Sequence, residues 1–229
     1  MPEPMDGSNN QPTKEINRCR LVLIASASTC SSEALRAAFE GGDVASLVIM
    51  ADETAEGTFA DICKEWVTIA QQKEVAVLVA SHTQIAGRSE ADGIFVDSGG
   101  LEVLDDAIAR FSPHKIVGCG GIKERHRALE IGDRRPDFVF FGKLKGDIKP
   151  VPHRKNLALA DWWSNLIETP CVIMGGNEID SITECAASGA EFVALNKAVF
   201  EHKDGPKEAV RVVNQLLEEN APQFVEAEV

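Results

Sequence analysis

The chain is 229 residues long, 44% hydrophobic and 26% charged, a composition that fits one globular domain. Its net charge of −13 argues against a nucleic-acid partner, because proteins that bind phosphate backbones display clustered Lys and Arg. Apolar runs such as 138–141 are far too short to span a bilayer, which argues against a membrane partner.

The first residues, MPEPMDGSNNQPTKEIN, carry no apolar signal core, so residues 1–19 read as a disordered leader on a cytoplasmic protein. After them, short β-branched runs alternate with stretches of helical period. Strands are predicted at 20–25, 46–51, 75–80, 93–97, 115–118, 137–141, 171–174 and 192–195. Ser31 or Ser32 caps the first helix, which carries Leu35, Ala38 and Phe39 at core spacing and ends at Gly41-Gly42. Phe59, Ile62, Cys63, Trp66 and Ile69 form the stripe of the second, and the third crossover, 83–90, is short. Later helices are predicted around Leu101 to Phe111, Arg127 to Ile131, Leu157 to Ile167, Ile179 to Ala187 and Glu208 to Leu217. Strands as continuously apolar as SLVIM and FVFF need cover on both faces. Eight such βα units with no excess at either end favour a single closed (β/α)8 TIM barrel over residues 20–220 rather than an open doubly wound sheet, with 221–229 as a flexible tail.

In such barrels the loops after the strands build the site. Gly175 and Gly176 after strand seven let a ligand approach the backbone, and their N–H groups together with Asn177, Asn196 and Lys197 form a candidate phosphate site. The loop after strand six, FGKLKGDIKPVPHRKN, is the longest. Within it Lys143, Lys145, Lys149, His153, Arg154 and Lys155 face Asp147 as the local counter-charge. Cations in such a loop suit a diphosphate leaving group, which makes Lys143, Lys145, Lys149, His153 and Arg154 catalytic candidates on a lid stiffened by Pro150 and Pro152. Cys119, Asp97 and His82 stand just past strands five, four and three and are expected to line the pocket, while Asp52 and Glu53 follow strand two. The six cysteines lie far apart and read as reduced thiols, and no His stands at a zinc-ligand spacing from any of them.

The residues resemble the thiamine-phosphate synthase family, which includes thiazole tautomerase relatives. EADGIFVDSGG looks like the family's G-A-D-G-V-H-L stretch, HKIVGCGG like its fifth strand, and RRPDFVFFGKLKGDIKP like its A-D-Y-V-x-x-G-P stretch. TPCVIMGGNEIDSITECAASGAEFVALNKAVF looks like its P-V-x-A-I-G-G-I strand with the helix and final strand after it. The resemblance implies a small (β/α)8 enzyme, often a homodimer, that joins a pyrimidine diphosphate to a thiazole phosphate and releases pyrophosphate. It also implies Mg²⁺ and cationic side chains around the diphosphate, and a thiazole phosphate resting on Gly175, Gly176 and Asn196. The chain departs from the pattern on the diphosphate side. The Arg and Lys of Q-L-R-x-K are Ala51 and Glu53, the N-D after strand three is Ala80-Ser81, and the acidic end of G-Q-E-D is Gly100, so both expected Mg²⁺ carboxylates are missing. The hydroxyl of G-V-S is lost at Gly120, the tautomerase's His in that loop is absent, and the Pro after Gly142 is Lys143. Two readings remain open: a divergent synthase-like transferase, or a catalytically silent barrel that binds thiazole phosphate, thiamine phosphate or a related phosphometabolite.

Overall fold

The computed structural model describes residues 16–98 and 100–224. Strands β1 (Arg20–Ser26), β2 (Ser46–Met50), β3 (Ala76–Ala80), β4 (Gly93–Val96), β5 (Ile116–Cys119), β6 (Phe138–Phe141), β7 (Cys171–Met174) and β8 (Phe192–Leu195) pair in parallel, in chain order, and β8 closes onto β1. Around them run α1 (Ser32–Phe39), α2 (Glu56–Gln71), α3 (Thr83–Arg88), α4 (Leu101–Phe111), α5 (Arg125–Gly132), α6 (Arg154–Ser164), α7 (Ser181–Ala187), α8 (Lys197–Phe200) and α9 (Pro206–Asn220). The (β/α)8 barrel read from the sequence is the fold, with strand ends within one residue of expectation.

Helix boundaries moved further. Of the two serines proposed as the first cap, Ser31 performs it, its Oγ accepting from the Ala34 amide at 3.2 Å. Helix α6 begins three residues earlier than its apolar spacing indicates, because the His153 ring accepts the Lys155 amide at 3.2 Å and caps it. Arg154 and Lys155 therefore lie on the helix, not in the loop. The single turn α8 has no apolar period long enough to betray it in sequence.

Strand side chains alternate between two apolar layers, which is why the strands read as continuous hydrophobic runs. Leu21, Leu23, Leu47, Ile49, Val77, Ile173 and Val193 face outward and pack under the helices. Val22, Ile24, Val48, Met50, Leu78, Phe95, Phe140, Val172 and Met174 face inward and fill the barrel. Phe95 and Phe138 stack across β5 with centroids 6.0 Å apart, and the space for the Phe138 ring is Gly118, where a Cβ would lie 2.1 Å from Cζ. At the opposite end from the site, an acidic residue just before each of β4, β6 and β8 caps the neighbouring strand. Asp92 accepts the Val77 amide, Asp137 the Val117 amide and Glu191 the Cys171 amide, at 2.8, 2.7 and 2.8 Å.

Ordered chain also extends past residues 20–220 on both sides. Arg18 bridges to Gln223, the Phe224 amide donates to the Asn17 carbonyl at 3.0 Å, and Cys19 is fully buried. No helix among the described residues is long and apolar enough to cross a membrane.

Candidate active site

A cavity of about 620 Å³ opens at the C-terminal ends of β2 to β6. Its apolar floor includes Met50, Ala80, Val96 and Leu144. Its charged wall consists of Lys123, Arg127, Lys143 and Lys145, faced by Asp52 and Asp97, with His82 at the side. Gly120 and Gly121 carry the β5 end over this floor. A Cβ at Gly120 would lie 2.8 Å from the Phe95 ring, and Gly121 holds φ +72° where its Cβ position is 3.0 Å from the Asp97 carbonyl. Two lining residues that are not glycine, Asp52 and Ser81, sit at φ 54° and 59°. Left-handed backbone of this kind carries strain and gathers where a site dictates the path of the chain.

The electrostatics follow from burial and from the cations. Burial raises the Asp97 carboxyl above its ordinary range, and Lys143 opposes that rise. The Asp52 carboxyl is held below its ordinary range first by the Lys145 ammonium and then by the Ser26 and Ser28 hydroxyls, against its own desolvation. Burial, opposed by Arg127 and aided by Asp97, pushes the Cys119 thiol up to about 11. Cys119 is thus a thiol at neutral pH and packs as a small hydrophobe.

The loop that leaves β6 turns at Gly142, with φ +148°, and crosses the barrel mouth. Lys145 pairs with Asp52 on the far wall. Asp147 does not face the loop's own lysines as expected. Its carboxylate is fully buried, and Oδ2 accepts the Lys197 amide at 2.7 Å. Next to it the Lys149 carbonyl accepts the Asn177 amide at 2.8 Å, and the Pro150 carbonyl lies 2.2 Å from where a Gly176 Cβ would stand. The Gly176 amide donates to Ser181 Oγ at 2.9 Å and the Gly175 amide to the Ala194 carbonyl at 3.0 Å.

The residues singled out in sequence therefore fall into separate places. Asp97, Cys119, His82, Lys143 and Lys145 line the cavity. Gly175, Gly176, Asn177, Asn196 and Lys197 gather at the β7 and β8 ends, beneath the loop and outside the cavity lining. Lys149, His153 and Arg154 are exposed and also outside that lining.

The thiamine monophosphate synthase family model matches residues 21–199. The chain belongs to this family. Thiamine-phosphate synthase from Hyphomonas neptunium is 30% identical over 213 residues, covering 88% of this chain and 95% of that protein. Thiamine-phosphate synthase from Rhodospirillum centenum is 28% identical over 209 residues, 87% of this chain and 98% of its own length. Among solved structures, the thiamine phosphate pyrophosphorylase of Pyrococcus furiosus superposes with a TM-score of 0.74 at 20% identity, over 89% of this chain and 97% of that one. The (S)-3-O-geranylgeranylglyceryl phosphate synthase of Thermoplasma acidophilum, solved with sn-glycerol-1-phosphate, has a TM-score of 0.64 at 15% identity, over 89% and 94%. These two likenesses are likenesses of fold.

The cations of the cavity come from two loops, those after β5 and β6. Lys123 and Arg127, after β5, line the cavity and were not singled out in sequence. The signal was present: IKERHR comes directly after a strand end and is a second local basic cluster in an acidic chain. The carboxylates do not form such a group. No three His, Cys, Asp or Glu side chains come together among the described residues, and Asp52 is committed to Lys145 and two serines. The cavity thus offers no all-protein cage, and Asp97 is the carboxylate that could share an Mg²⁺ with the phosphates of a ligand.

Proposed function

We propose that this chain is a divergent thiamine-phosphate synthase-like transferase, which joins a pyrimidine diphosphate to a thiazole phosphate and releases pyrophosphate. The observation that carries the reading is the cavity at the β2 to β6 ends, with four cationic side chains against two carboxylates in a family member. Lys143, Lys123 and Arg127 would hold the diphosphate and take up its growing negative charge as the C–O bond breaks. The apolar floor of Met50, Ala80, Val96 and Leu144 would keep water from the pyrimidine cation until the thiazole nitrogen captures it. Lys145 would lock the loop through Asp52, so its role is positioning. At the β7 and β8 ends, Gly175, Gly176, Asn177, Asn196 and Lys197 would receive the thiazole phosphate once the loop has lifted. Lys149 on the outer side of that loop, with His153 and Arg154 at the start of α6, would meet ligand only in such an open state.

Incubating the purified protein with both precursors, with and without Mg²⁺, tests the reading. Thiamine phosphate should form, and Lys143→Ala with Arg127→Ala should lower kcat by about 10²-fold or more, the scale of losing preorganised charge stabilisation. No product at high enzyme concentration refutes it. The alternative, a silent barrel that binds a phosphometabolite, draws on one observation: no group of three His, Cys, Asp or Glu side chains gathers among the described residues, which hurts chemistry more than phosphate binding. Calorimetric binding of thiazole phosphate without turnover would favour that alternative.

A further inference from the structure

Asp147 is the one buried side chain among the described residues with a polar atom left without a hydrogen-bond partner, its Oδ1. A buried carboxylate oxygen in that state is costly, and native chains keep such groups where they serve a purpose. The other oxygen sits on the Lys197 amide, one of the donors a ligand phosphate would use. The neighbouring donor, the Asn177 amide, is satisfied by the Lys149 carbonyl, and Gly176 is covered by the Pro150 carbonyl. Three successive parts of one loop thus stand on three parts of the anion subsite, and the part that carries charge is an anion. Meanwhile the outer face of the loop leaves Ile148 and Val151 in water, 73% and 60% exposed. The closed loop satisfies the subsite but neither Ile148 and Val151 nor Asp147 Oδ1.

We propose that Asp147 is a built-in competitor for phosphate: its carboxylate occupies the anion subsite between the β7 and β8 ends, and a phosphate monoester binds there by expelling Asp147 and lifting residues 147–153, while Lys143 and Lys145 stay with the main cavity. Asp147 is then a specificity-determining residue, because it weakens ligands that carry a phosphate at this end and leaves unphosphorylated ligands of the main cavity unaffected. The loop moves in the opposite sense to a lid. Filling the main cavity retains it through the Lys145–Asp52 pair, whereas filling the phosphate subsite releases residues 147–153. The inference rests on the proposed function only for the position of the subsite.

Inorganic phosphate is the probe, titrated calorimetrically into the full-length wild type, Asp147→Asn and Asp147→Ala. Asparagine keeps an acceptor for the Lys197 amide and removes the charge, while alanine removes both. At least tenfold tighter phosphate binding is expected in both variants, including the case in which only the variants bind. Hydrogen exchange on the wild type requires no mutation: at high phosphate, residues 147–153 should exchange faster. Affinity no tighter in the folded variants, no phosphate binding by any of the three proteins, or unchanged or slower exchange of residues 147–153 in phosphate-bound wild type overturns the proposal. Turnover is not read in either experiment, so an inactive chain can meet the expectation and an active transferase can fail it.

Discussion

Gly176→Ala adds one methyl group at the point where the loop meets the strand ends. The new Cβ would stand 2.2 Å from the Pro150 carbonyl oxygen, 2.5 Å from its carbon and 2.8 Å from the Lys149 oxygen, all backbone atoms. Ordinary contact lies near 3.5 Å, so the loop backbone must retreat by roughly 1 Å, and a backbone cannot rotate away as a side-chain tip can. Overpacking of this kind costs about 1–3 kcal/mol where the neighbour stays. The retreat also lengthens the 2.8 Å bond from the Asn177 amide to the Lys149 carbonyl, worth about 1 kcal/mol. The loop therefore lifts, with the barrel intact. Limited proteolysis should cut the variant within 143–153 several-fold faster than the parent, while the denaturant midpoint falls by no more than about 3 kcal/mol equivalent. Equal cleavage rates with unchanged stability would show that the loop does not rest on Gly176.

Two further perturbations separate the barrel from its loop. Gly118→Ala places a Cβ 2.1 Å from the Phe138 ring inside the barrel, so it should destabilise by about 1–3 kcal/mol in a urea melt without changing protection of residues 143–153. A melt that coincides with the parent's would refute the packing account of Gly118. Asp52→Asn removes the anchor of Lys145, and amide exchange in the loop should quicken at neutral pH. Because the Asp52 carboxyl is depressed in the folded chain, its contribution is present above the free carboxyl value of about 4 and is lost as pH falls through the lower folded value. Parent and variant should thus converge in exchange at acid pH, and a difference that stays constant from pH 7 to about 3 would count against the clamp.

The barrel was legible because its order is local. Each strand is a short apolar run, each helix an amphipathic stretch or a capped turn, and parallel strands buried on both faces leave few topologies that keep connections short. What the residues did not disclose were details decided by single contacts. The start of α6 depends on the His153 ring turning back onto the Lys155 amide, a geometry that His153 reveals only once the loop is placed. The apolar runs located the strand ends to within one residue, and the positions just past them, His82, Asp97 and Cys119, line the cavity as expected.

Charge in the loop after β6 shows where counting residues stops being sufficient. A tally of six basic groups against Asp147 describes a loop awaiting an external anion, since in sequence the carboxylate is simply the nearest negative charge. In three dimensions Asp147 points away from those cations to an amide 50 positions later, and Lys145 finds its partner 93 positions earlier, at Asp52. Neither pairing has a local signature, because the barrel brings the ends of β2, β6 and β8 to one mouth only when all eight strands have closed. The same closure brings Lys123, Arg127 and Lys143 into one cavity lining. The loop is therefore two devices sharing one backbone: Lys143 and Lys145 serve the cavity under β2 to β6, and Asp147 through Pro150 serve the strand ends of β7 and β8. A ligand that spans both regions must keep the first contacts while breaking the second, so binding at one end is coupled to binding at the other through the stretch of backbone that joins Lys145 to Asp147.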